Sequence, residues 1–264
     1  MCTPGAVLAI DSKVAHVAGV LEQLRGRTVQ DEGSILELRD RSPHDLVLVA
    51  QILRHRSFAR ALDLGCGGGR LSPLLTACAA RTVLLDINPT VLDCALTLAG
   101  DSATAVCAPF EAVPFASATF DLVASRLALH ESISHESALK EIKRILMREG
   151  TLLVVDVIPP AEREAAKLFD ALEIALNPAY ARPPSPSQWK AILQKQGFEI
   201  EISAATRVRR ELVDRPSGED KRESCIKLIH QFSNQARAAL GVCQSGRRLE
   251  WVDRRLVVVA KAMR

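Results

Sequence analysis

The sequence predicts an α/β protein built on a doubly wound, mostly parallel sheet. Short apolar segments alternate with segments whose apolar residues recur at helical spacing. Several apolar segments contain almost no polar residue, as in strands that are buried on both faces. The first of these segments continues directly into a glycine cluster, which is typical of the turn from a strand to a helix in such sheets.

Composition is that of a folded globular protein and excludes disorder as the main state. The 264 residues are 48% hydrophobic and 25% charged, and the length suits one large domain or two small ones. No apolar run reaches the ~18 residues that a membrane helix requires, and Met1–Ile10 has no basic start before its apolar stretch. Seven cysteines without a C-x-x-C pair disfavour a zinc ribbon or a disulfide scaffold. We therefore expect a cytoplasmic protein without a membrane partner.

Seven segments are predicted to be strands because they are short and mainly apolar or β-branched. They are Ala59–Leu64, Thr82–Asp86, Thr104–Cys107, Phe120–Ser125, Thr151–Val157, Phe198–Ser203 and Leu256–Ala260. Eight further segments show helical spacing or helix-end signals and are predicted to be helices, with Thr90 and Ser187 as candidate N-caps and Gly150 closing one helix. These helices are Val7–Leu24, Asp45–Arg54, Leu71–Ala80, Thr90–Leu98, His135–Met147, Glu162–Leu176, Gln188–Gln196 and Glu219–Leu240.

The glycine cluster after the first strand predicts a nucleotide site at the start of a helix. From Gly65 the pattern is G-x-G-x-G, and Arg70 stands where a dinucleotide-binding loop has its third glycine. Asp63 precedes the loop by two residues, where a carboxylate would repel a pyrophosphate but suits ammonium and sulfonium groups. Asp86, at the end of the second strand, can accept hydrogen bonds from ribose hydroxyls. S-adenosylmethionine fits this pattern better than NAD.

These residues resemble a known family along about residues 59–157. The segment Ala61-Leu62-Asp63-Leu64-Gly65-Cys66-Gly67-Gly68-Gly69 is similar to motif I of the class I S-adenosylmethionine-dependent methyltransferases, and Val83–Asn88 is similar to motif II. The segments 111–115 and 120–123 resemble the approach to the fourth strand, and Ile145–Val157 resembles the helix end and fifth strand. The chain is identified by this resemblance as a class I methyltransferase.

Within that superfamily the chain most resembles the ubiquinone/menaquinone-biosynthesis type. Ser125-Arg126-Leu127-Ala128-Leu129-His130 is similar to the family's Ser-Arg-x-Ala-x-His after the fourth strand, and Trp189 matches its later Trp helix. The resemblance implies a Rossmann-like seven-stranded sheet with an antiparallel last strand. It also implies a helical lid segment over residues 1–57 and a core over 58–264, with lid insertions near 159–195 and 206–250.

The resemblance implies S-adenosyl-L-methionine as cofactor and S-adenosyl-L-homocysteine as product. The cofactor-binding residues that it implies are Asp63, Gly65, Cys66, Gly67, Gly69, Asp86, Ile87, Pro109, Phe110, Ser125 and Arg126. Pro109 stands where the family usually has an Asp that accepts from the adenine amino group. Adenine recognition is therefore expected to use the Phe110 backbone and apolar packing by Ile87 and Phe110.

His130 is the candidate catalytic residue, because it follows the carboxyl end of a parallel strand, where ligands bind in such sheets. Three roles stay open for it: general base, substrate positioning, and structural hydrogen bonding. His130-Glu131 begins a sequence that misses H-E-x-x-H by one position, since Ser134 precedes His135. No metal site is predicted.

Three functions remain open at this point. The first is methyl transfer to an oxygen, carbon or nitrogen of a small molecule in cofactor or secondary metabolism, by a monomer or homodimer. The second is RNA or tRNA methylation, because residues 201–264 hold 14 Lys and Arg against 8 Asp and Glu. The sparse aromatic residues, 7 Phe, 2 Trp and 1 Tyr, disfavour a nucleic-acid platform. The third is a non-catalytic S-adenosylmethionine-binding subunit.

Overall fold

The structure is a computed structural model that describes residues 38–40, 44–110, 112–177, 180–212, 219–246 and 248–263. The predicted helix Val7–Leu24, and with it most of the predicted lid segment 1–57, lies outside the described residues. Within the described ranges, no helix is long and apolar enough to span a membrane.

One mixed sheet of nine strands organises the described residues. The strands are β1 (Leu38–Asp40), β2 (Phe58–Leu64), β3 (Ala79–Asp86), β4 (Ala103–Cys107), β5 (Phe120–Arg126), β6 (Leu146–Ile158), β7 (Phe198–Leu212), β8 (Cys243–Ser245) and β9 (Arg248–Ala262). Their order is β1-β7-β9-β6-β5-β2-β3-β4, with β8 paired to β9. The strands β4, β3, β2, β5 and β6 run parallel, and β9 runs antiparallel to both β6 and β7. The antiparallel last strand is therefore confirmed.

The predicted count of seven strands is wrong, because two strands of three residues extend the sheet. β1 pairs with β7 and β8 pairs with β9, both antiparallel. These additions are possible because β7 and β9 are 15 residues long each and run beyond the parallel strands. Residues 206–212 pair with residues 249–255. Both ends of the predicted insertion near 206–250 are therefore strand, and its helices lie between them.

Helices cover both faces of the sheet, as the doubly wound prediction requires. They are α1 (His44–Leu53), α2 (Ser72–Thr76), α3 (Pro89–Ala99), α4 (His135–Ile145), α5 (Arg163–Leu176), α6 (Pro186–Lys195), α7 (Glu219–His230) and α8 (Asn234–Leu240). Leu62 and Val154 face the apolar cluster formed with α4 and α6. Ala61 and Leu153 point to the other face, against α1 and α2. The strict alternation within each strand places one core layer on either side of the sheet.

Several helix ends differ from the predicted ones for local reasons. The N-caps are Asn88 and Ser185 in place of Thr90 and Ser187, because a proline follows each cap at the first helical position. The predicted helix over 219–240 is two helices, since the hydroxyl of Ser233 caps a new start by accepting the Ala236 N–H at 3.1 Å. The helix predicted to reach Met147 ends at Ile145, where β6 begins.

The inserted helices form their own apolar cluster beside the long strands. Phe169 of α5, Leu240 of α8, and Leu212 and Trp251 of the sheet are buried together there. This cluster lies on the overhanging part of β7 and β9. It extends the sheet beyond the ends of the parallel strands, next to the cavity described below.

Candidate functional site

A cavity of about 440 Å³ opens at the carboxyl ends of β2, β3 and β5. The chain leaves β2 toward β3 and β4 on one side, and β5 leads to β6 on the other, so the cavity lies at the point where the strand order reverses. Ligands bind at this point in open α/β sheets. The lining residues are Asp63, Gly65, Cys66, Gly67, Gly68, Arg70, Leu71, Asp86, Ile87, Pro109, Phe110, Arg126, Leu127, Ala128, Glu131, Ser132 and Ile133.

The cavity collects all predicted cofactor residues except Gly69 and Ser125. A Cβ on Gly69 would lie 2.6 Å from the Cα of Ala95, so this glycine allows α3 to pack closely. Ser125 is buried within β5, and its hydroxyl has no partner among the described residues. Neither residue lines the cavity. The contact of the other nine with a cofactor remains a prediction.

The glycine loop brings backbone to the edge of the cavity. Gly65 adopts φ +71°, and a Cβ there would lie 2.5 Å from the Cβ of Ala128 and 2.9 Å from the ring of Phe110. Gly67 adopts φ +49°, and a Cβ there would meet nothing within 4 Å. Gly65 therefore closes the cavity floor, while Gly67 leaves space that a ligand can occupy.

Asp63 presents an incompletely paired carboxylate to the cavity. Its side chain is 1% exposed, and Oδ2 accepts a hydrogen bond from the Ser72 hydroxyl at 2.6 Å. Oδ1 is buried and has no partner among the described residues. Burial raises the pKa of Asp63 to about 7, against the lowering effects of the Ser72 hydrogen bond and the Arg126 charge. A buried acceptor of this kind calls for a cationic or hydrogen-bonding ligand group.

Asp86 connects the glycine loop to the start of helix α3. Oδ2 accepts the Gly67 N–H at 2.8 Å, and Oδ1 accepts the Asn88 N–H at 2.9 Å. Each carboxylate oxygen has a further lone pair with which it can accept a ligand hydroxyl. The predicted ribose contact thus has to share the carboxylate with two backbone groups.

The adenine end of the predicted site is apolar. Ile87 is 66% exposed although it is a large aliphatic residue, and it lines the cavity beside Pro109 and Phe110. An exposed apolar side chain at the mouth of a cavity offers a surface for a flat ligand. The orphaned Asp63 oxygen, the open space at Gly67 and this apolar rim together fit the nucleoside and the ammonium group of S-adenosylmethionine.

Arg126 is held at the cavity by an acidic side chain from the helix α1. Its Nε donates to Oδ2 of Asp45 at 2.8 Å, and the same oxygen accepts from Nη1 of Arg255 at 2.9 Å. All three side chains are nearly inaccessible to solvent. The carboxylate of Asp45 thus connects Arg126, which lines the cavity, to Arg255 of β9.

The ion pairs continue from Arg255 to the inserted helix α5. Nη2 of Arg255 lies 3.7 Å from Oδ2 of Asp253, which accepts from Nη1 of Arg210 at 2.8 Å. The same Arg210 nitrogen donates to Oε1 of Glu173 at 3.0 Å. Buried charges are tolerated where each has an opposite partner. The chain of pairs therefore fixes α1, the last strands and α5 relative to the cavity-lining Arg126.

His130 lies in a short turn, residues 129–131, between β5 and α4. Its Nδ1 is 2.6 Å from Oδ1 of Asp156, and its backbone N–H donates to Oδ2 of Asp156 at 2.9 Å. Burial lowers the pKa of His130, but the charge and hydrogen bond of Asp156, together with the charges of Glu131 and Glu173, raise it above its ordinary value of 6.5. The neighbouring Glu131 lines the cavity.

The histidine that follows in the sequence resembling H-E-x-x-H, His135, does not line the cavity. His135 begins α4 and packs edge-on against Trp189, with ring centroids 5.3 Å apart. Among the described residues, no group of three His, Cys, Asp or Glu side chains is arranged to hold a metal ion.

The sequence analysis assigned no site role to Asp45, to Asp156 or to the cavity-lining residues Leu127, Ala128, Glu131, Ser132 and Ile133. Asp156 could have been found, because it is the one charged residue in the apolar run Thr151–Ile158. Asp45 likewise precedes a run of apolar residues in α1. The described residues of the predicted lid insertions, by contrast, do not line the cavity.

Comparison with known proteins identifies the central part of the chain. Residues 62–154 match the family described as "Methyltransferase domain". The uncharacterized methyltransferase YcgJ of Bacillus subtilis is 24% identical over 152 residues, which cover 56% of this chain and 60% of that protein. Its crystal structure has a TM-score of 0.70 at 18% identity and covers 84% of this chain and 99% of that chain.

Two further relatives have named activities. The malonyl-[acyl-carrier protein] O-methyltransferase of Enterobacter lignolyticus is 37% identical over 120 residues, covering 44% of this chain and 47% of that protein. The ubiquinone/menaquinone biosynthesis C-methyltransferase UbiE of Hahella chejuensis is 30% identical over 131 residues, covering 47% and 53%. The chain thus spans about half the length of the curated relatives it matches.

These findings show the Rossmann-like methyltransferase fold and a methyltransferase domain at residues 62–154. The domain is of the class I type, and its methyl donor is S-adenosylmethionine. The matches do not single out the ubiquinone/menaquinone type, because relatives with other named activities match as well.

Proposed function

We propose that the protein transfers the methyl group of S-adenosylmethionine to an oxygen, carbon or nitrogen atom of a small molecule. The observation that carries the proposal is the single cavity that brings Asp63, Gly67, Asp86 and Arg126 together at the switch point of the sheet. When bound there, the cofactor supplies a methyl group on a sulfonium sulfur, and S-adenosylhomocysteine remains after transfer.

Different residues of the cavity would bind different groups of the cofactor, according to their charge and polarity. The unpartnered oxygen of Asp63 would take the ammonium group, and the spare lone pairs of Asp86 would take ribose hydroxyls. Ile87 and Phe110 would pack on the adenine ring. Arg126, oriented by Asp45, suits the cofactor's carboxylate.

A small acceptor is favoured by the size of the site and by the burial of part of the basic residues. The cavity has the size of small-molecule sites, roughly 300–1,000 Å³. The basic excess of residues 201–264, which would favour RNA, is partly internal, since Arg210 and Arg255 are buried in ion pairs. Those two charges are therefore not available to phosphates.

Catalysis in such a site comes mainly from positioning and the exclusion of water. Residues of the loop from Leu127 to Ile133 also line the cavity, and this loop is the expected side for the acceptor. His130, within this loop, can hold a proton that an acceptor loses.

The test is transfer of labelled methyl groups into two acceptor pools, a metabolite extract and total RNA. The expected result is label in the metabolite fraction, with none when the Gly67→Val variant is used. Label in RNA alone would replace the small acceptor by RNA. No transfer into either pool, although the protein binds S-adenosylhomocysteine, would indicate a non-catalytic binding subunit.

A further inference from the structure

We propose that Asp156 is a positioning residue that holds His130 with Nε2 as a proton acceptor, so that the acceptor is a nucleophile that must lose a proton. The inference rests on the proposed function and narrows its substrate class to hydroxyl, amine or acidic carbon acceptors. A carboxylate acceptor, already ionised, would have no use for such a pair.

The hydrogen-bond geometry fixes the tautomer. Nδ1 of His130 lies 2.6 Å from Oδ1 of Asp156, and a carboxylate can only accept. Nδ1 therefore carries the hydrogen, and Nε2 of the neutral ring carries the lone pair. The carboxylate is itself fixed, because Oδ2 accepts the His130 N–H and Oδ1 accepts the Val157 N–H at 2.8 Å.

The surroundings of Asp156 indicate that its role is to hold His130. Asp156 is 1% exposed and lies in the central strand β6, among aliphatic residues. A carboxylate buried in this way is costly unless hydrogen bonds satisfy it. The bonds that satisfy it come from His130 and from its own neighbour Val157, so the pair is built as a unit.

Nε2 is the ring nitrogen that does not contact Asp156. The His130 side chain keeps 15% of its exposure, and the nearest charged atom to Nε2 is Oε1 of Glu131 at 4.0 Å. Ala128, Glu131 and Ser132, on either side of His130, line the cavity. His130 itself is not among the lining residues, and we infer from these neighbours that its lone pair lies at the edge of the acceptor end of the cavity.

The surrounding charges support a protonated imidazole after the reaction. Asp156 on β6, Glu131 in the same turn and Glu173 on α5 all raise the pKa of His130, against its burial. The other titratable group nearby is His135 at the start of α4, whose pKa is lowered by burial. Glu173 shares its charge with Arg210, so Asp156 is the main counter-ion.

The proton balance is simple. As the acceptor atom bonds to the methyl carbon, its O–H, N–H or C–H proton moves to Nε2, and the bond from sulfur to carbon breaks with the electron pair left on sulfur. The imidazolium then pairs with the Asp156 carboxylate and returns its proton to water when the products leave.

The first experiment measures His130 directly by ¹⁵N NMR of the imidazole in protein saturated with S-adenosylhomocysteine. The wild type should show the Nδ1–H tautomer and a pKa above 6.5, and Asp156→Asn should lower that pKa by one unit or more. Asp121→Asn is the matched control, because Asp121 also accepts two backbone N–H groups, from Ala59 and Arg60. The opposite tautomer in the wild type would overturn the proposal, even if Asp156→Asn does not fold.

The second experiment follows the pH profile of methyl transfer into the metabolite fraction. Asp156→Asn should lower kcat at least about tenfold and move the acid limb to lower pH, with KM and S-adenosylhomocysteine affinity unchanged. An unchanged profile would overturn the proposal. If the wild type transfers no methyl group, the proposed function fails, and the tautomer and pKa still decide the role of Asp156.

Discussion

The hydroxyl of Ser72 donates to one oxygen of the Asp63 carboxylate at 2.6 Å, and the other oxygen is buried without a partner among the described residues. The protein therefore supplies a hydrogen bond to only one of the two oxygens of Asp63. The other oxygen, Oδ1, is available for a ligand cation.

Cofactor binding should accordingly depend on the charge of Asp63. The pKa of about 7 means that the carboxylate is largely protonated at pH 6, so affinity for S-adenosylhomocysteine should fall about tenfold per pH unit below 7. Asp63→Asn should bind more weakly at pH 8 and lose this pH dependence. Calorimetry across pH 6–8 measures both, and a flat wild-type profile would contradict the ammonium assignment.

The same substitution should stabilise the protein without cofactor. A carboxyl whose folded pKa is raised contributes stability below its unfolded pKa of 3.8, and that contribution is lost as pH rises through about 7. Because the side chain of Asp63→Asn stays neutral, the stability of the variant relative to the wild type should increase between pH 4 and 7. The increase should be on the order of 1–3 kcal/mol. Thermal unfolding of the two proteins at pH 5 and pH 8 tests this expectation. An equal difference at both pH values would argue against it.

Gly67 should be required for binding because of the space that it leaves. Gly67→Val places a side chain in the cavity and strains a backbone with φ +49°. Gly246→Val is the matched control, since Gly246 has φ +56°, an equally open Cβ position and no place in the cavity lining. We expect both variants to lose similar stability and only Gly67→Val to lose S-adenosylhomocysteine binding. Normal binding by Gly67→Val would mean that the loop faces another ligand.

His130→Ala should lower kcat by about 10²–10⁴ while S-adenosylhomocysteine affinity stays near that of the wild type. The raised pKa puts the acid limb of the wild-type profile above pH 6.5. If His130 only positions the acceptor, KM should rise instead and the profile should stay flat. Wild-type kinetics, or loss of folding, would assign the residue a structural role.

Activity should survive treatment with a chelator. The sequence offers no metal-binding motif, and the described residues hold no cluster of metal-binding side chains. Methyl transfer measured with and without EDTA should agree within error. Loss of turnover that one divalent ion restores would contradict this prediction.

The parallel strands and the glycine loop were predictable because neighbouring residues in the sequence determine them. Asp63, Gly67 and Asp86 follow from short spacings around two buried strands, and the structure brings them into one cavity. The extent of β7 and β9 was not predictable in this way. Arg210 and Arg255 resemble surface residues in sequence and are buried because Asp253, Glu173 and Asp45 meet them from distant segments.

The acceptor side of the site was harder to predict for the same reason. Asp45 lies 81 residues from Arg126 along the chain, and Asp156 lies 26 residues from His130. Only the fold reveals these partners. His130 could be placed by motif order, whereas its tautomer and raised pKa depend on a carboxylate from another strand.

Calorimetry of S-adenosylhomocysteine with the wild type and with Asp86→Ala tests directly whether this cavity binds S-adenosylmethionine. Loss of two ribose hydrogen bonds, and of the bond that holds the Gly67 N–H, should weaken binding by roughly 2–4 kcal/mol. Asp121→Ala, which removes a carboxylate with two backbone hydrogen bonds away from the cavity, should bind normally. Unchanged affinity in Asp86→Ala, or no binding by the wild type, would contradict the assignment of this cavity to S-adenosylmethionine.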